Sequence, residues 1–153
     1  MNVLIHVLNA ILAFFLLRRI LRILYDPRTD AERADQQATA FLASLMFLIH
    51  PIATMAVSYV TQRFTSLATL FYLGSIFGYL SARLRLEAKQ LHHAVLLGYG
   101  ASLLCTLLAM RTKEISFTIP IIVAALELLL FGSSRLGRRR FLYLIPYALL
   151  LAV

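Results

Sequence analysis

Two short polar segments interrupt a predominantly apolar sequence, and their side chains have the chemistry to bind a phosphate group. They read HPIATMAVSYVTQRFTS, residues 50–66, and MRTKEIS, residues 110–116. The side chains in them that could contact a bound group are His50, Gln62, Arg63, Arg111, Lys113 and Glu114. Arginine and lysine bind phosphate through charge-assisted hydrogen bonds, and the planar arginine fork can hold two oxygens. We therefore interpret the segments as parts of one anion site, with Arg63 as its main cation.

A third polar cluster lies at the start of the chain, where Asn2, His6 and Asn9 interrupt an apolar run. Their spacing of four and then three residues places them on one face of a helix. We therefore include His6 among the candidate site residues. A divalent metal shared by His6 and His50 is the weaker alternative, because no acidic residue or third ligand has a suitable spacing. We expect no metal and no cofactor.

The composition indicates a membrane protein. Of the 153 residues, 61% are hydrophobic and only 14% are charged, whereas soluble domains carry about 25% charged residues. The net charge of +8 could suggest a nucleic-acid-binding protein. The basic residues are instead split into short clusters between apolar runs, as topology signals are. We therefore exclude nucleic acid as a partner.

The apolar runs predict an all-α fold, a polytopic membrane bundle of about six helices in a single domain spanning residues 1–153. A membrane-spanning helix needs roughly 20 apolar residues. The predicted segments are Asn2–Leu24, Ala38–Val60, Phe64–Leu84, Leu91–Met110, Ile115–Phe131 and Phe141–Val153. The first begins and the last ends without a polar flank. We therefore expect a fragment of a longer membrane protein.

The distribution of basic residues predicts which side of the membrane each connection faces. Of the 15 lysines and arginines, only Arg63, Arg111 and Lys113 fall in the connections after the second and fourth segments. The positive-inside rule places the other connections in the cytoplasm. All three polar clusters then face the outer side. The simpler alternative is that Arg63 reaches up to the lipid headgroups and that Lys113 and Glu114 form a surface ion pair.

Four further features predict local structure. Residues 25–37, YDPRTDAERADQQ, read as a polar cytoplasmic loop. Pro51 removes a backbone donor and should kink or end the second helix. Gly74 and Gly78 have the spacing of small residues at a close helix contact. Glu127 lies inside an apolar run, so we expect a structural role in which it pairs with an arginine of a neighbouring loop.

The segment HPIATMAVSYVTQRFTSLATLFYLGSIFGYL resembles the membrane half of bacterial tetratricopeptide-repeat membrane proteins. These are similar to the transmembrane and tetratricopeptide repeat O-mannosyltransferases of eukaryotes, and both belong to the glycosyltransferase C superfamily. The segments NVLIHVLNAIL, LLAMRTKEISFTIPI and LELLLF follow the same pattern in order. The resemblance covers nearly the whole chain.

The resemblance implies the membrane part of a polyprenyl-phosphate-sugar-dependent glycosyltransferase at the outer face of a bacterial inner (plasma) membrane. Its partners would be membrane lipid, a lipid-linked sugar donor and a protein or glycan acceptor. His50, Pro51, Gln62, Arg63, Lys113 and Glu114 fall in the characteristic outer-face motifs.

Two departures from the family pattern argue against catalysis by this chain alone. The catalytic acid of the family lies in the first external loop, but no acidic residue precedes Asp26, and Met55 stands where relatives often have Glu or Gln. We expect no catalytic residue in this chain. The alternative function is a non-catalytic membrane scaffold subunit that packs against a larger membrane complex.

Overall fold

The structure, a computed structural model, describes residues 2–51, 53, 62–89, 92–132 and 137–151, with the backbone alone for 137–140. These residues form helices and turns and contain no strand. The main helices, in chain order, are α1 (Asn2–Tyr25), α2 (Asp30–Ile49), α3 (Arg63–Glu87), α4 (His92–Thr112), α5 (Ile119–Leu130) and α6 (Ile145–Leu150). The 3-10 helices Glu114–Thr118 and Gly137–Leu144 precede α5 and α6. Tyr79, Leu80, Ile119 and Val123 form the centre of the core.

Helix α1 packs against both α2 and α3. It runs antiparallel to α2, since His6 contacts Leu48 near one end and Gln36 contacts Leu21 near the other. It runs parallel to α3, since Asn9 bonds to Ser66 and Arg19 bonds to Ser81. We name the bundle end with His6 and His50 the histidine end, and the end with Arg18, Arg19 and Arg22 the arginine end.

Helix α2 begins earlier than the sequence predicted. Thr29 and Glu32 form a capping box, in which each side chain bonds to the backbone N–H of the other. The box starts the helix at Asp30, so the prediction of a polar loop over residues 25–37 was wrong for its second half. The signal was in the sequence, since a threonine followed three residues later by a glutamate marks a helix start.

Pro51 ends α2, as predicted. The last helical residue is Ile49, and His50 is extended at φ −60 and ψ 131, the conformation that a following proline favours. The predicted second segment continued to Val60. Its part from residue 54 to residue 60 lies outside the described residues.

Helices α3 and α4 make the closest contact in the bundle. A Cβ on Gly78 would lie 3.0 Å from the carbonyl oxygen of Gly98 and 3.0 Å from the Cβ of Ser102. A Cβ on Gly74 would lie 3.3 Å from the sulfur of Cys105. These glycines let the two backbones approach, so the small-residue prediction is confirmed.

Within the described residues, three helices are long and apolar enough to cross a membrane, namely α1, α3 and α4. They correspond to the first, third and fourth predicted segments, and they support a helical membrane protein. The fifth predicted segment contains most of a 3-10 helix and the 12-residue α5. The described part of the sixth contains the second half of a 3-10 helix and the six-residue α6.

Candidate functional site

A cavity of about 430 Å³ lies at the histidine end, between α1, α2 and the start of α3. Its polar lining includes His6, Asn9, His50, Thr65, Ser66 and Thr69. Met46 and Phe47 supply apolar wall. The cavity therefore offers hydrogen-bonding groups beside an apolar surface.

Two long-range hydrogen bonds hold the walls of this cavity together. His6 Nε2 donates to the carbonyl of Leu48 at 3.1 Å, which joins α1 to α2. Asn9 Nδ2 donates to the carbonyl of Ser66 at 3.0 Å, which joins α1 to α3. Asn9 is only 2% exposed, and its Oδ1 has no hydrogen-bond partner among the described residues. Asn9 therefore acts as a buried link between α1 and α3.

A chain of three polar side chains brings a cation to the cavity. Lys113 Nζ donates to Thr65 Oγ1 at 2.6 Å, and Thr65 Oγ1 donates to Gln62 Oε1 at 2.8 Å. Thr65 lines the cavity, so the ammonium group of Lys113 lies beside the lining. Lys113 follows α4 and Gln62 precedes α3. The structure therefore brings two of the predicted site residues together through one that sequence reasoning missed.

His50 occupies a turn at the mouth of the cavity. Its backbone carbonyl accepts a hydrogen bond from the backbone N–H of Ala53 at 2.9 Å, and both residues line the cavity. His50 is exposed. The turn that follows α2 thus holds the imidazole where solvent and cavity meet.

Five predicted site residues do not line the cavity. Gln62 and Lys113 bond to the lining residue Thr65, and the other three are Arg63, Arg111 and Glu114. Arg63 is exposed at the first position of α3. Arg111 is exposed in the last turn of α4, and Glu114 is exposed at the start of the following 3-10 helix. All three lie at the histidine end, but none of them is part of the lining.

This arrangement can bind an anion near an apolar surface. Lys113 supplies a positive charge, and Thr65 and Asn9 supply neutral polar groups. Within the part of the chain that the structure describes, no group of three or more His, Cys, Asp or Glu side chains is placed to hold a metal ion.

A second polar centre lies in the interior, nearer the arginine end. Arg83 binds Glu127 with two hydrogen bonds, Nε to Oε2 at 2.8 Å and Nη2 to Oε1 at 2.6 Å. Tyr79 OH also donates to Oε2 at 2.6 Å. The guanidinium carbon of Arg83 lies 4.6 Å from the ring centroid of Phe131. Charges so deeply buried need close partners, and both have them here.

This pair refines two expectations. Glu127 does pair with an arginine, but Arg83 lies on a helix rather than in a loop, because α3 continues to Glu87. Arg83 was assigned to a cytoplasmic connection as a topology signal. It is instead 1% exposed and fixed in the protein interior.

A group of hydroxyls joins α3, α4 and α6. Ser102 Oγ donates to the carbonyl of Ser75 at 2.5 Å and lies 2.5 Å from Tyr147 OH. Ser75 Oγ lies 2.7 Å from Thr106 Oγ1. Small hydroxyl residues that bond across helices are typical of membrane-helix interfaces. The spacing of Ser102 and Thr106, four residues apart, is the sequence signal for this contact.

Comparisons of the chain with protein-family models, with curated proteins and with solved structures found no match to any of them.

Proposed function

We propose that the histidine-end cavity binds the phosphate of a polyprenyl-phosphate sugar, and that the chain is the membrane part of a glycosyltransferase using this donor. The observation that carries the proposal is the hydrogen bond from Lys113 to Thr65 beside an apolar cavity wall. A lipid-linked donor needs this combination, since its phosphate requires a cation and its tail requires an apolar surface. The sequence resemblance supports the choice of donor.

Lys113, rather than Arg63, is the main cation in this proposal. Lys113 and Arg63 are both exposed and both lie outside the lining. Lys113 is preferred because its ammonium group is hydrogen-bonded to the lining residue Thr65. His50, at the cavity mouth, contacts the part of the donor that faces water.

The proposal also includes the membrane arrangement. Helices α1, α3 and α4 span the membrane, and α2, α5 and α6 complete a six-segment bundle. The histidine end faces the outer side, because most basic residues belong to connections at the opposite end. The host membrane is the bacterial inner membrane.

A non-catalytic scaffold subunit is the second candidate function. The observation that favours it is the exposure of apolar side chains along α4, where Leu96 is 66% and Leu97 is 74% exposed. Such a surface can face lipid or pack against another membrane subunit. A scaffold subunit needs no donor site, so a chain that binds polyprenyl phosphate no more tightly than the uncharged polyprenol would favour the scaffold function.

The dissociation constant of a polyprenyl phosphate in detergent tests the binding step. We expect Lys113→Ala to raise it about tenfold or more, because a hydrogen bond to a charged group contributes roughly 1.5–3 kcal/mol. Arg63→Ala should raise it less. Lys89→Ala, at the arginine end, is the matched control and should leave it unchanged. Equal affinity in all four proteins, or equal affinity for the uncharged polyprenol, contradicts the proposal.

A further inference from the structure

A second large cavity lies at the arginine end, between α1 and α3. It has a volume of about 710 Å³ and opens to the surface beside α1. Its basic wall consists of Arg18, Arg19 and Arg22. Phe15 and Phe77 line its apolar part, and Asp26 contributes one carboxylate. The formal charge of these side chains is therefore strongly positive, and the polyprenyl-phosphate site at the opposite end does not use them.

Contacts with α3 fix the position of the Arg19 side chain. Arg19 Nη1 donates to the hydroxyl of Ser81 on α3, and its guanidinium carbon lies 4.4 Å from the ring centroid of Phe77. An arginine side chain has five N–H donors, so one hydrogen bond leaves donors for a ligand. Fixing the guanidinium in advance lowers the entropy cost of binding an anion.

The positive charge of this cavity is not neutralised by ion pairs within the described part of the chain. The ion pairs there join Arg33 to Asp30, and Arg83 to Glu87 and Glu127. Asp26 lines the cavity but lies beyond ion-pair distance of the three arginines. The charge of Arg85 on α3 also acts on Arg19. A cluster of like charges with so little compensation favours an external anion.

Along α1, the lining of the cavity changes from apolar to basic. Phe15, which is 44% exposed, precedes Arg22 by seven residues, and this spacing corresponds to about 10 Å along a helix. An apolar surface therefore leads directly to a basic one on the same helical face. A free anion would need only the arginines, whereas a lipid has an acyl chain to cover Phe15.

From this arrangement we infer that the arginine-end cavity binds the phosphate headgroup of an anionic phospholipid, with an acyl chain against Phe15 and Phe77. Basic pockets between membrane helices bind such headgroups on the cytoplasmic side. The proposed topology places this end there. The site is independent of the polyprenyl-phosphate site, because the two cavities share no lining residue.

Native mass spectrometry of the detergent-solubilised full chain, titrated with phosphatidylglycerol, tests this inference. We expect Arg18→Gln combined with Arg22→Gln to weaken binding about tenfold, because each basic residue near an anionic lipid surface adds binding energy. The matched control is Arg28→Gln combined with Arg33→Gln. It removes the same charge from the same end but spares the cavity lining, and it should change affinity less than twofold. Equal losses in both double variants would overturn the inference, since they would reflect net charge alone.

Two further measurements test whether the ligand is a lipid or a free anion, and whether binding depends on the position of the guanidinium group or on charge alone. Inorganic phosphate should not displace phosphatidylglycerol at millimolar concentration; displacement would overturn assignment to a lipid. Arg19→Lys keeps the charge and loses the fork, so it should weaken binding several-fold. Unchanged affinity in Arg19→Lys, in a variant that melts like wild type, would show that the fixed guanidinium has no role and would overturn the proposed geometry.

Discussion

Arg83 and Glu127 form a bidentate ion pair between α3 and α5, with oxygen–nitrogen distances of 2.6 and 2.8 Å. Both side chains are almost completely buried. This contact links α5 to α3, and Tyr79 reinforces it. The pair therefore holds α5 against α3.

We expect Glu127→Gln to destabilise the protein by about 3–5 kcal/mol, because it removes the closest and fully buried counter-charge of the Arg83 guanidinium. Thermal unfolding in detergent measures this as a lower Tm. Glu87→Gln is the control, because Glu87 is partly exposed and its 3.5 Å contact with Arg83 is longer. The double change Arg83→Met and Glu127→Leu should cost less than Glu127→Gln. A Glu127→Gln protein as stable as wild type would contradict a structural role for the pair.

Gly78→Ala should destabilise the α3–α4 contact by roughly 1–3 kcal/mol through overpacking. The added Cβ would lie 3.0 Å from a backbone oxygen, which cannot move aside as a flexible side chain could. Gly100→Ala is a matched control on α4, since its Cβ would meet no atom within 4 Å. Comparing the two Tm values tests the contact. Equal effects at the two positions would mean that helix propensity, not packing, determines the result.

Ser102→Ala should lower the free energy of unfolding by about 0.6 kcal/mol and by no more than about 1.7 kcal/mol, the mean and the maximum for hydrogen bonds between membrane helices. The change leaves the hydroxyl of Tyr147 and the carbonyl of Ser75 without this partner. Thr39→Ala, at an exposed position of α2, serves as the control for loss of a local hydroxyl. Unfolding of both variants in detergent provides the comparison. A larger loss for Thr39→Ala would argue against an interhelical role for Ser102.

Membrane topology can be measured with single cysteines in a Cys105→Ala background. We expect Phe117→Cys, at the histidine end, to react with an impermeant thiol reagent added outside cells. Arg33→Cys, at the arginine end, should react only after the membrane is opened, because the basic connections stay in the cytoplasm. The opposite pattern would invert the proposed orientation and remove the outer-face donor site.

Local signals predicted those features that depend on one or two residues. Pro51 ended α2, and Gly78 allowed a close helix approach, because each acts through its own backbone geometry. The start of α2 was missed although the pairing of Thr29 with Glu32 was visible in the sequence. The charged residues of this segment were interpreted as a solvated loop, whereas Asp30 and Glu32 lie in the first turn of α2.

Features that depend on tertiary contacts could not be predicted in the same way. Thr65 carries no distinctive chemistry, and its hydroxyl becomes part of the candidate site because Lys113 approaches it from 48 residues away. Arg83 looked like its cytoplasmic neighbours because sequence alone does not show that α5 brings Glu127 to it. The sequence indicated the candidate ligands by residue type, but the tertiary fold determines which of them lie close together.

Photo-crosslinking with a diazirine-labelled polyprenyl phosphate tests the central claim most directly, because it locates the bound lipid. We expect crosslinks in α1 near His6 and in α2 near Met46 and Phe47, and we expect Lys113→Ala to reduce their yield. Excess unlabelled polyprenyl phosphate should abolish them, while excess polyprenol should not. Crosslinks spread evenly over the apolar surface, with the same yield in Lys113→Ala, would contradict a phosphate site at the histidine end.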